Sequence, residues 1–484
     1  MIRVANKRSL LILFALISLL QCAWGNVSQD STRLVLYVSS SQGNDRNDGH
    51  TEKTPLRTIK KALRLRNNHL HLLLKCDDVF FESISGISDC IVEPYGHGEK
   101  PVLCGFKILK NAIAWEKDTL PGVWRLNMAC ENNFAGFSMK DASDKACFNN
   151  IGCLYDSEND RLYGRLVKSK KSMSKEGDFY TSSAYTRNKV SFRYLYFKFD
   201  KNPECLGNLC FSTYNHGIYN IKRCIIRNIA IVGFARHGIN SINHSEILNC
   251  RIDIIGGSIL IGYKYWVRYG NGIQCWIANV PVGYNTIKDC TISRTYDCGS
   301  TIQGKGSNMS NPVKIRFINN KFIFCRQAFE HWLSPADGRN LDYADCEFSH
   351  NICFMMGDNQ FETPLPQDAN LLSYDKENRG LSICDNLFYG APYYCGRAFA
   401  TKMSGNKVYV YRGQYLNHYH GTKNYPSIYA TRKTDINTYR DRVKDRSEIH
   451  LLDRDSETDR KMKQKLQKMI DYRPVRLAID KYIQ

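Results

Sequence analysis

Two acidic residues in the second half of the chain are placed where a carboxylate pair could do acid/base chemistry. Asp297 ends the run Arg294-Thr295-Tyr296-Asp297, and Glu330 lies within Ala328-Phe329-Glu330-His331-Trp332. Such a pair divides the work: one carboxylic acid with a raised pKa gives up a proton, while the other attacks as an anion or activates water. Glu330 has an aromatic residue on one side and His331-Trp332 on the other, surroundings that favour the neutral acid, so it is the better proton donor. Asp297 is then the nucleophile or base. Trp276, Tyr296 and Trp332 could supply flat platforms, and Arg268, Arg294 and Arg326 could address hydroxyl or carboxylate groups. The plainer alternative makes both acids turn residues or charge partners of Arg294 and Arg326.

The elements that must position these residues show in a recurring phrase: a polar residue, Cys or Asn, any residue, then Ile or Phe. It occurs at Arg223-Cys224-Ile225-Ile226, Asn249-Cys250-Arg251-Ile252, Asp289-Cys290-Thr291-Ile292, Asn319-Asn320-Lys321-Phe322, Asp345-Cys346-Glu347-Phe348 and Asp385-Asn386-Leu387-Phe388, at intervals of 26, 40, 30, 26 and 40 residues. One short period with insertions of variable size is the mark of a solenoid. Around each phrase apolar residues alternate, with Gly233, Gly238, Gly256, Gly272 and Gly299 following, which are strand and turn signals. Parallel strands wound this way stack coil on coil about 4.8 Å apart. The Cys or Asn then recurs at one inward turn, where Asn pairs its amide with the backbone of a neighbouring coil and Cys fills the space as a small apolar group.

These phrases resemble the right-handed parallel β-helix superfamily of secreted proteins, the pectate lyase-like group that includes polysaccharide lyases and glycoside hydrolases. The amino-terminal half adds to the resemblance, from Tyr37-Val38-Ser39 through the turn Gly43 to Gly49 and the helix around Pro55 to Ala62, then Leu72-Leu73-Leu74 and Tyr95 to Val102. It spans about residues 34 to 429 and implies an all-β fold: a parallel β-helix with an N-terminal capping helix and a charged, partly helical C-terminal tail. Fold alone does not choose a function, because this architecture serves lyases, hydrolases and non-catalytic adhesins.

In a β-helix the interior is packed, so chemistry belongs on an outer face, between insertions such as those after Cys250 and Cys346. Adjacent coils would bring Asp297 and Glu330 to a carboxyl separation of about 5 to 11 Å. This range contains both the retaining glycosidase separation, about 5 Å, and the inverting one, about 6.5 to 9.5 Å, and leaves both open. The leading expectation is hydrolysis of a polysaccharide by this pair, with no metal or other cofactor. A lyase would instead eliminate across a uronate, with Lys305, Arg294 or His331 as base and commonly with Ca²⁺, yet no cluster of three acids on adjacent coils stands out. The turn from Asn44 to Gly49 is a poor calcium loop, since Arg46 stands where an oxygen donor is needed. A non-catalytic glycan-binding or surface protein is the third reading. His237-Gly238 and Asn271-Gly272-Ile273-Gln274 read as coil corners, and His418 with His420 has strand-like metal spacing without an acidic or thiol companion.

Residues 1–25 combine Arg3, Lys7 and Arg8 with an apolar run from Leu10 to Leu20 and small residues near Gly25, the pattern of a signal peptide with cleavage after Gly25. The expected location is therefore secreted or periplasmic. Residues 26–430 are assigned to the β-helix and 431–484 to the charged helical tail. The chain has 67 basic and 47 acidic residues, and loss of three signal-peptide cations leaves 64 against 47, or +17. That charge either favours polyanions, where the compartment makes an acidic polysaccharide a better partner than nucleic acid, for which no aromatic-basic motif is present, or is simply dispersed over a solvated basic surface with no special partner. No later segment reaches membrane-spanning length. Of 19 Cys residues, those at the inward turn serve as core filler, while Cys205 with Cys210 and Cys147 with Cys153 are the candidate disulfides. Thr54 and Pro55 are expected to start the capping helix.

Overall fold

The alternating apolar runs form short strands that pair in parallel with their equivalents one coil away. The computed structural model of the chain describes residues 33–109, 115–128, 134–135, 150–186, 189–206, 209–212, 215–260, 267–277, 283–306, 314–335, 343, 346–361, 368–374, 380–396, 402–418, 427–475 and 477. The signal-like segment, Cys147 and His420 lie outside these residues. Two columns of strands make up a 19-stranded sheet, and a third column makes a 10-stranded sheet, so each coil contributes three strands. This is a parallel β-helix.

Register converts the sequence periodicity into continuous core columns. One runs Ile231, Ile252, Ile292, Phe322, Cys353, Phe388, Val408, Ile449. A second runs Ile226, Ile247, Ile287, Phe317, Phe348, Ile383, Met403, and a third includes Ile239, Ile273, Ser300, Phe329, Leu371 and Cys395. Near the acidic pair the columns interlock through aromatic rings, with Phe329 stacked on Phe348 at 4.7 Å and Phe322 on Phe348 at 5.5 Å.

The inward Cys/Asn stack is present as a hydrogen-bonded ladder. The backbone N–H groups of Cys290, Asn320, Asn351 and Asn386 donate to the side-chain oxygens of Asn320, Asn351, Asn386 and Asn406, at 2.8 to 2.9 Å. Each Asn amide donates in turn to the carbonyl of Ile287, Phe317, Phe348 or Ile383. The polar residue before each rung takes positive φ, as at Asn249, Asp289, Asn319, His350 and Asp385, a conformation that short polar side chains tolerate best. Cys224 and Cys346 do not belong to this ladder. They precede the strands Ile225–Arg227 and Glu347–Ser349 of the neighbouring column, and Asn351 fills the rung that the repeat assigns to Cys346.

Three further differences have local causes. The capping helix is Ile59–Leu65, with Thr58 as its N-cap. Leu56 still pairs with the first strand, through Leu56 N–H to Tyr37 O and Ser39 N–H to Leu56 O, and that pairing delays the helix past Pro55. Within the span assigned to the solenoid, the described residues between 106 and 212 leave it as two antiparallel sheets, one holding Phe106–Leu109, Leu154–Asp156 and Leu209–Ser212, the other Val123–Asn127, Phe179–Thr186 and Lys189–Lys198. Leu126, Phe179, Leu195, Phe197 and Phe211 form a separate core for this excursion. After Thr431, helix Lys433–Val443 buries Tyr439 in the main core and strand Arg446–Leu452 adds one more rung, to which Asn406 bonds through Ser447. Helix Glu457–Ile470 then packs against Tyr389 and Tyr411. No helix among the described residues is long and apolar enough to cross a membrane.

Cys205 and Cys210 are thiols, not a bridge: Cys210 is in a buried strand while Cys205 is exposed. Cys153 is also a buried thiol, placed at hydrogen-bond distance from Ser212.

Candidate active site

The third column of strands presents one outer face on which alternate residues line up across coils. Asn240, Gln274, Thr301, Glu330 and Leu372 occupy one row, and Trp276, Gln303 and Trp332 the row two residues on. Asp297 lies in the turn before the strand Cys298–Gly306, half-buried, and Glu330 lies on the next coil in the strand Gln327–Pro335, 6 % exposed. Side-chain oxygens of Asp297 and Glu330 and the Sγ of Cys298 lie within 4.8 Å of one another.

Polar neighbours hold Glu330 tightly. Trp332 Nε1–H donates to Oε1 at 3.0 Å, and the Cys298 thiol donates to Oε2 at 2.9 Å. Gln303 also bonds the carboxyl and is itself held by Gln274, whose amide donates to Gln303 Oε1 at 3.1 Å. Burial and then the charge of Asp297 push the Glu330 carboxyl up to about 7, against the three donors that pull it down. Burial also raises Asp297, while the guanidinium of Arg326 and, less, the Cys298 thiol 3.8 Å away oppose the rise. The Cys298 thiol is held well above its ordinary value by burial and by both acids, so it remains a protonated donor. Tyr374, 49 % exposed, also keeps its hydroxyl proton, because of partial burial and the charges of Glu330 and Asp297. Asp297, Cys298 and Glu330 are the one group of three His, Cys, Asp or Glu side chains among the described residues close enough to hold a cation. Thiolate coordination there would first require loss of the tightly held thiol proton.

A polar ladder leads into this site along the turn before each strand. His237 N–H donates to His216 Nδ1, Asn271 N–H to His237 Nδ1 and Cys298 N–H to Asn271 Oδ1, and Cys298 Sγ lies 3.0 Å from Gln327 Oε1, a second acceptor within reach of the thiol. Each rung is followed by Gly or Ala, and at Gly272 a Cβ would approach Ile292 Cγ2 to 2.5 Å. Asn271 is thus structural, and Gln274 faces the outer row.

Of the other residues singled out in the sequence, Trp276 and Trp332 meet edge to face at 5.8 Å on this face. Arg326 stands beside the pair and bonds Asp368 at 3.0 Å. Lys305 is exposed on the Asp297 coil, near the far end of its strand. Four residues lie elsewhere, contrary to expectation. His331 alternates with Glu330 and Trp332 and so points inward, fully buried against Phe329 and Tyr343. Arg294 belongs to the neighbouring column, where the excursion covers it; it is 1 % exposed and binds Asp253 and Asp160, each at 2.6 Å. Arg268 is buried against the carbonyls of Gly152, Gly164 and Gly257. Tyr296 is buried beneath the Arg268 guanidinium, which sits 4.1 Å from its ring centre. Cys298, Gln303, Gln327 and Tyr374 were not singled out by sequence. The repeated polar-Gly pairs at His216, His237, Asn271 and Cys298 carried the signal for Cys298.

No protein-family model matches the chain, and no curated protein matches it by sequence. Solved structures resemble it distantly. A glycoside hydrolase aligns at 10% identity over 80% of this chain and 94% of the other, with a TM-score of 0.42. The GH136 lacto-N-biosidase from Eubacterium ramulus aligns at 12% identity over 86% of this chain and 68% of its own, with a TM-score of 0.33. The tailspike protein of E. coli bacteriophage HK620 aligns at 10% identity over 74% of this chain and 53% of its own, with a TM-score of 0.34. The parallel strand register of this chain, coil upon coil, establishes the β-helix architecture that its repeated phrases resemble.

Proposed function

We propose that this protein hydrolyses glycosidic bonds in a glycan, with Glu330 as proton donor and Asp297 as nucleophile. The observation that carries this reading is the pair itself: two carboxyls whose nearest side-chain oxygens are within 4.8 Å, one raised to about 7 and so still half protonated at neutral pH. That separation is nearer the retaining geometry, about 5 Å between carboxyls, than the inverting one. Glu330 protonates the departing glycosidic oxygen as its C–O bond breaks, while Asp297 bonds to the anomeric carbon. In the second half of the reaction Glu330, now ionised, takes a proton from water, which displaces Asp297. Arg326 supports the anionic form of Asp297. Trp276, Trp332 and Tyr374 supply ring faces and edges for the sugar, and Gln303 holds Glu330 by a hydrogen bond. Lys305 and the cationic composition extend the candidates to acidic glycans. The elimination alternative is weakened because two of its candidate bases, Arg294 and His331, are buried away from this face.

Incubation with neutral and acidic polysaccharides tests the proposal. Hydrolysis releases reducing ends with no new ultraviolet absorbance, whereas absorbance from a new C=C bond would mean elimination, and silence across the panel with a glycan still bound would mean that the face binds without cutting.

A further inference from the structure

Three coils toward the amino terminus from Cys298, the same polar ladder ends in two stacked imidazoles. His216 and His237 lie 5.3 Å apart at 16°, and Tyr219 stacks on His216 at 5.0 Å and 12°. Tyr269 stands edge-on to His237 at 5.1 Å, with the Arg236 guanidinium 4.8 Å from its own ring centre. Tyr219 is 42 % exposed, while His216 and His237 are 3 % and 6 % exposed.

The ladder settles the chemistry of both imidazoles. Each Nδ1 accepts a backbone N–H from the next coil, at 3.3 Å in His216 and 3.1 Å in His237, so in the neutral ring the hydrogen must be on Nε2. Burial first, then neighbouring positive charge, depresses both rings, His237 to about 3, so neither is protonated at ordinary pH. The two histidines are therefore uncharged donors. Nε2 of His216 is buried and, among the described residues, has no hydrogen-bond partner, a state that costs free energy unless another oxygen completes it.

We propose that this stack is a distal sugar-binding subsite, in which a pyranose ring lies against Tyr219 and, as the Tyr219 ring shifts on binding, the buried His216 Nε2–H opens to a sugar oxygen that accepts from it. The inference rests on the glycan-cleaving reading of the acidic pair and extends it: the substrate is an oligosaccharide or longer chain lying along the axis of the solenoid. Three coil spacings separate His216 from Cys298, about 14 Å, so a bound chain must bridge several sugar units from the acidic pair to Tyr219. Uncharged donors and a ring face suit a hydroxyl-rich, uncharged sugar at this position, whatever the charge of the sugar at the site of cleavage.

The test is calorimetric binding in a Glu330→Gln background, where glycans are held without being cut. The probes are xylo-, galacto-, chito- and galacturonic oligosaccharides from disaccharide to octasaccharide. Affinity should rise with length for at least one series. Tyr219→Ala and His216→Asn should each remove about tenfold of that rise, the loss expected for one ring or one hydrogen-bond contact. Asn is chosen because Asn271 already performs the ladder's acceptor role with its side-chain oxygen. Folding is checked by the unfolding midpoint. If the variants keep the full rise with length, the subsite is overturned and the cleavage reading stands. If the Glu330→Gln protein binds none of the probes, the cleavage reading fails and the subsite fails with it.

Discussion

Replacing Glu330 by Gln removes one titrating proton while keeping the size of the side chain and an acceptor for Trp332 Nε1–H. The wild-type carboxyl is pushed up to about 7 from an ordinary value of 4.5, chiefly by burial and then by Asp297. The folded protein therefore holds that proton more tightly than the unfolded chain does. The sign follows directly: stability is undiminished below the unfolded value, falls as pH rises from 4.5, and levels off above about 7. A shift of this size corresponds to about 3 kcal/mol, shared with Asp297 because the two acids titrate together. The Gln variant lacks the titration, so its stability relative to wild type should rise by about 3 kcal/mol between pH 4.5 and 8. Urea unfolding of both proteins across that range measures the difference. A difference independent of pH would show that Glu330 titrates ordinarily, and the case for a neutral proton donor at pH 7 would be lost. The same proton governs turnover, so kcat should decline as pH passes above about 7, where the donor form disappears.

Cys298 donates to Glu330 and so lowers its pKa; Cys298→Ala should move the alkaline limb of the rate profile to higher pH, whereas Cys298→Ser, which keeps a donor, should move it less. Arg294→Met leaves the fully buried Asp253 without its cationic partner, a change that typically costs about 3 to 5 kcal/mol, and urea unfolding should show that loss. In the inward ladder, Asn351→Ala removes the donor to Phe317 O and the acceptor for Asn320 N–H, and should cost about 2 to 4 kcal/mol in the same assay. Asn351→Cys should cost less, because Cys250 and Cys290 already occupy rungs of that ladder.

The repeat was legible because one physical requirement recurs in every coil: a left-handed polar residue followed by a small inward rung and an apolar strand. It misassigned Cys346 because the true rung, His350-Asn351-Ile352-Cys353, has a thiol where the phrase expects Ile or Phe, and Cys353 still fills the core column. Proximity of Asp297 and Glu330 was legible from neighbouring coils, but their supporting residues were harder to place. Strand alternation, which separates His331 from Glu330, was readable in principle. The burial of Arg294 was not, since it depends on the excursion of residues 106–212, whose antiparallel sheets lack the solenoid's phrase. Tyr374 joins the site through parallel pairing with a strand 42 residues away, between His331 and Ser373, a distance that no local pattern encodes.

Turnover by Asp297→Asn and Glu330→Gln, on whichever glycan the wild-type protein cuts, bears on the carboxylate pair without intermediaries. With unfolding midpoints showing both variants folded, each should lose at least about a hundredfold in kcat. Wild-type rates in both would mean that these two acids, close as they are, do not cut the glycan.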